Sequence, residues 1–70
     1  MSENQQDMFD PDKAEGMTEV EAEAFFQRHG YTMRVTRRDG KAMITTRDMK
    51  LNRLNVSIEN GLVKEVMSVG

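Results

Sequence analysis

Lys41-Ala42-Met43-Ile44-Thr45-Thr46-Arg47-Asp48-Met49-Lys50-Leu51-Asn52 decides the fold, because this long interval without periodicity separates two runs that alternate. Before it, Tyr31, Met33 and Val35 point one way and Thr32, Arg34 and Thr36 the other; after it, Leu54, Val56 and Ile58 turn inward and Asn55 and Ser57 outward. Successive strand residues face opposite sides of a sheet, so each run predicts a half-buried strand. Asp39-Gly40 predicts a turn at the edge of the interval, and most of the interval itself reads as loop. Asn60-Gly61 predicts a tight hairpin, with Leu62 to Met67 returning as a last strand. Two topologies satisfy these elements. If Asp39-Gly40 closes a hairpin, the sheet is an antiparallel meander; if the residues between Arg37 and Arg53 are a crossover, the strands flanking them run parallel.

Upstream of the first strand, Thr18 and Glu21 stand in the Thr-x-x-Glu spacing of a capping box. Residues 19–29 then place Ala22, Phe25 and Phe26 on one helical face, with Glu19, Glu21 and Glu23 near the positive end of the helix dipole. Gly30 is the natural stop, and His29 falls in the last turn. Residues 1–16 are polar and acidic, with Pro11 and Gly16 as breakers, and predict a disordered tail in front of one domain spanning residues 17–70.

Seventy residues allow one small core, and a chain this short buries only about 60% of the surface its unfolded form exposes. With no cysteine, neither disulfides nor a thiolate zinc site can reinforce it. Charge is unevenly placed: residues 1–24 carry a net −7 and residues 28–53 a net +6. A segment that basic suits an acidic partner, either a phosphate backbone or a carboxylate pocket. Enzymatic chemistry finds little support, since the chain has one histidine, and Ser2, Ser57 and Ser68 have no base at a recognisable spacing. Neither a cofactor nor a metal is expected, and Asp39-Gly40-Lys41 lacks the rest of a phosphate-binding loop. The opening residues contain no basic, then apolar, leader and no membrane-spanning stretch, so a cytoplasmic monomer is expected.

The order helix, strand, long loop, strand, hairpin, strand resembles that of the potato type I family of serine-protease inhibitors. Thr18-x-x-Glu21-Ala22-x-x-Phe25-Phe26 resembles the family's capped helix. Thr46-Arg47-Asp48-Met49-Lys50-Leu51-Asn52-Arg53 is similar to its binding-loop pattern: Thr, a variable residue, an acid, an apolar residue, a base, then Asp or Asn and Arg. Arg53-Leu54-Asn55-Val56 is closer still to the short bacterial and fungal branch, although that branch's cysteine near the C-terminus is Val69 here. The resemblance covers residues 18–70.

Such a resemblance implies an α+β fold, one helix on a small mixed sheet of three to four strands with a long exposed loop between two parallel strands. It implies a reactive-site loop of Thr45, Thr46, Arg47, Asp48, Met49 and Lys50, with Arg47 entering the specificity pocket of a trypsin-like or subtilisin-like serine protease. Loop support is expected from Arg53 and from position 55, where the family's second arginine is replaced by the shorter, neutral Asn55. The alternative reading is a nucleic-acid-binding or protein-interaction module that uses the basic residues Arg34, Arg37, Arg38, Lys41, Arg47, Lys50 and Arg53. Against nucleic acid, Tyr31 is the only nearby aromatic side chain for base stacking.

Overall fold

The computed structural model describes residues 9–70. Helix α1 (Glu19–Arg28) begins where the capping box predicts: Thr18 Oγ1 accepts from the Glu21 amide at 3.2 Å, and Glu21 Oε1 accepts from the Thr18 amide at 3.0 Å. It ends at His29, followed by Gly30 at φ 83°, a left-handed conformation that costs glycine little. Ala22 and Phe26 are fully buried and Phe25 half-buried, so the predicted stripe is the face that meets the sheet.

The sheet is built from β1 (Thr32–Arg38), β2 (Lys41–Ala42), β3 (Arg53–Glu59) and β4 (Leu62–Val69), in the spatial order β2-β1-β3-β4. β1 and β3 are parallel, with Arg34 opposite Asn55 and Val35 opposite Val56, while β3 and β4 form an antiparallel hairpin. The architecture is thus a small α+β fold, one helix packed with a four-stranded mixed sheet.

Both candidate topologies are partly realised. Asp39 and Gly40 adopt φ of 51° and 82°, the doubly left-handed pair of a tight hairpin turn, and Arg38 pairs with Lys41 and Arg37 with Ala42. The hairpin then stops, and residues 43–52 cross to β3, which runs parallel to β1. Asn60 and Gly61 form a second turn of the same kind (φ 53° and 79°), and Asp39 Oδ1 accepts from the Asn60 amide at 2.8 Å, tying the two turns together.

Central strand β3 divides the molecule. Leu54, Val56 and Ile58 lie on one side of it, in a core completed by Ala14, Ala22, Phe26 and Val63. Asn55 and Ser57 were expected to face outward to solvent, yet they are 7% and 5% exposed, and Arg53 is 9% exposed. The second face is therefore also covered, with Asn55 lying against the Arg34 guanidinium and Ser68.

The expected disordered tail over residues 1–16 is corrected for residues 9–16; residues 1–8 lie outside the described residues. Pro11–Ala14 form a 3₁₀ turn capped by Asp10, and Ala14 is fully buried. The Phe9 ring stacks on His29 at 4.5 Å and on Tyr31 at 5.0 Å, and meets Phe26 edge-on at 6.1 Å. Gly16 and Met17 add a rung to the open side of β4: the Gly16 amide donates to Val63 O at 2.9 Å and the Val63 amide to Met17 O at 2.8 Å. Average composition concealed this, because two apolar residues among acids are enough to dock a short segment when a complementary surface exists. Among the described residues, no helix is long and apolar enough to cross a membrane.

Candidate functional site

Every residue of the interval 43–52 is exposed, Ile44 completely so and Leu51 by 79%. A loop with so little burial has no hydrophobic reason to hold one shape, so its conformation must be set by hydrogen bonds. Its ends are fixed by the backbone: the Met43 amide donates to Thr36 O at 2.9 Å, the Thr32 amide to Asn52 O at 2.8 Å, and the Arg53 amide to Lys50 O at 3.2 Å.

The middle is held by two guanidiniums rising from neighbouring strands. Arg34 on β1 donates through Nη1 to Thr46 O at 3.2 Å and lies 3.5 Å from Thr46 Oγ1. Arg53 on β3 donates through Nη2 to Asp48 O at 2.8 Å and through Nη1 to Asp48 Oδ2 at 3.4 Å. The Thr46 hydroxyl donates to Asp48 Oδ1, closing a bridge beneath Arg47. The Thr46 hydroxyl chiefly, with the Arg53 guanidinium adding to it, holds the Asp48 carboxyl below its usual range, against the opposing effect of burial.

Each guanidinium is itself fixed from behind. Arg34 Nε donates to Asn55 Oδ1 at 2.9 Å, and Asn55 Nδ2 donates to Ser68 Oγ at 3.1 Å. Arg34 Nη2 donates to Gly70 O at 3.1 Å, and Arg53 reaches the same oxygen from Nε at 3.2 Å and from Nη2 at 2.8 Å. A planar guanidinium presents several donors in a fixed fork, so one arginine can join a strand, the chain's last residue and the loop at once.

Sequence expectation and geometry agree at some positions and part at others. Arg53, named from the sequence, donates to Asp48, while the donor to Thr46 is Arg34. Asn55 makes no hydrogen bond to a loop residue; it accepts from Arg34 Nε on the neighbouring strand, and Arg34 reaches the loop. Arg34 and Gly70 were missed as supports. Their signal existed, since Arg34 falls on the outward phase of its strand, but only the parallel register places it opposite Asn55.

Between the clamped neighbours, the Arg47 side chain is exposed and makes no hydrogen bond or ion pair among the described residues. Thr45, Met49 and Lys50 are exposed beside it. The basic run is divided by these contacts: Arg34 and Arg53 serve the clamp, and Arg38 pairs with Glu19 at 3.0 Å. Among the described residues, no group of three His, Asp or Glu side chains is placed to hold a metal ion.

What fold and site define is a small α+β domain that presents one exposed loop, held by side-chain hydrogen bonds, with Arg47 at its bend. No family model, no curated protein and no solved structure matches the chain.

Proposed function

We propose that this chain is a serine-protease inhibitor of the potato type I kind, acting through residues 45–50 with Arg47 as the residue that enters the specificity pocket. The observation that carries the reading is the pair of clamps on Thr46 and Asp48, which fix the peptide on both sides of Arg47 and leave its side chain free to project. A flexible peptide loses about 1–2 kcal/mol of backbone entropy per residue when it is ordered in an active site. A loop already ordered in the free protein has lost it beforehand, so more of the contact energy appears as affinity.

The same clamps bear on hydrolysis. When a protease serine attacks the Arg47 carbonyl carbon, the amine leaving from Asp48 stays tethered by Arg53 to the inhibitor body. It remains within reach of the acyl carbon and re-forms the bond, and its occupancy of the site excludes the water that would complete cleavage. Arg47 favours a pocket closed by a carboxylate, the trypsin-like arrangement; a tolerant subtilisin-like pocket is the second target class. Titration of a trypsin-like and a subtilisin-like protease tests the reading. Inhibition by the native chain and its loss in Arg47→Ala are expected, and undiminished turnover by every protease tried would refute it.

A further inference from the structure

Among the described residues, two of the three exposed methionines lie within the loop interval. Met49, 75% exposed, directly follows Asp48; Met43, 42% exposed, opens the interval; and Met67, 46% exposed, lies against Thr36, whose hydroxyl donates to its sulfur at 3.5 Å. Met17 and Met33 differ, being half-buried and packed against the core. The chain has no cysteine, so no thiol of its own competes for an oxidant.

We infer that Met49 is an oxidation site through which a peroxide lowers the binding strength of the loop. This inference rests on the function proposed above, since Met49 is the second residue beyond Arg47 and would lie against any protease that accepts Arg47. The thioether sulfur attacks one oxygen of hydrogen peroxide; the O–O bond breaks, an S–O bond forms, and the other oxygen leaves as water after proton transfer. Sulfur is oxidised by two electrons and the peroxide is reduced by two. Among the described methionines Met49 reacts first because it is the most exposed, whereas Met67 is hydrogen-bonded through its sulfur and Met43 is more covered. The product carries a strong dipole where an apolar chain stood, and its water must be removed when the loop docks.

The test uses the full chain treated with increasing hydrogen peroxide, with mass-spectrometric peptide mapping and inhibition of a trypsin-like protease measured on the same samples. Sulfoxide should appear at Met49 before Met17, Met33, Met43 and Met67, and inhibition should weaken about tenfold or more in step with it. Methionine sulfoxide reductase should restore binding, and Met49→Leu, whatever its starting affinity, should lose none of it to peroxide. Full inhibition by protein carrying the Met49 sulfoxide, earlier oxidation at Met17, Met33, Met43 or Met67, or equal peroxide sensitivity in Met49→Leu would each overturn the inference while leaving the inhibitor reading intact. Failure of the untreated protein to inhibit removes the inhibitor reading first, and this inference with it.

Discussion

Arg34 and Arg53, on neighbouring parallel strands, donate to one acceptor, the carbonyl oxygen of Gly70, with Nη2 of each at 3.1 and 2.8 Å. The loop's two supports are thereby joined at Gly70 as well as through the Thr46–Asp48 bond, and neither can shift alone without loosening a bond that the other shares.

On the proposed function, removing either arginine should make the chain a substrate. Arg53→Ala frees Asp48 and Arg34→Ala frees Thr46, so each variant should be cut after Arg47 at least tenfold faster than the native chain, as followed by mass spectrometry during incubation with a trypsin-like protease. Arg53 is also nearly buried, and its loss should cost about 2 kcal/mol in urea unfolding. Equal cleavage rates in the native chain and both variants would dismiss the clamp.

Deleting Gly70 removes the acceptor common to both supports. Two groups that act through one partner are not additive, so Arg34→Ala should accelerate cleavage less in the shortened chain than in the full one. Gly70 also stands at φ 141°, where a side chain is strained, so Gly70→Ala should weaken the loop part of the way. Strict additivity in the double-mutant cycle would show that Gly70 plays no such joining role.

Asp48 makes the loop sensitive to acid. Its folded pKa is lowered, so its contribution is present above the unfolded carboxylate range near ~4 and is lost as pH falls through the lower folded value. In a pH titration followed by NMR, the Asp48 carboxyl carbon should therefore have its midpoint below the free carboxylate value near ~4, and Thr46→Ala should move that midpoint up. A midpoint at or above that value would contradict the depressed pKa.

Phe9 should matter to stability and not to binding. Phe9→Ala leaves the stacked rings of His29 and Tyr31 uncovered and should cost about 1–2 kcal/mol, less than a fully buried Phe because Phe9 is half-exposed. Denaturant titration reads the loss, and protease affinity of the folded protein should stay within about twofold. An unchanged denaturation midpoint would return residues 9–16 to the status of a tail.

Local chemistry was legible wherever neighbours in sequence are also neighbours in space. Thr18 and Glu21 announce the helix start because both partners of the capping box lie within one turn. Asn60-Gly61 announces its hairpin because that pair tolerates the left-handed backbone the turn requires. Phe9 illustrates the opposite case, since its value depends on rings at positions 25, 26, 29 and 31 that composition over residues 1–16 does not register.

The amino-acid sequence by itself determined the helix with its apolar face, the alternating strands, a turn at Asp39-Gly40, the tight hairpin at Asn60-Gly61 and the long aperiodic interval that carries Arg47. Tertiary structure alone decided that β1 and β3 run parallel in the register that sets Arg34 against Asn55, and that Arg34, Arg53 and Gly70 meet behind the loop. Periodicity reports which face a residue occupies and carries no information on which strand lies beside it, and contacts between positions 34, 53 and 70 exist only once the sheet has closed.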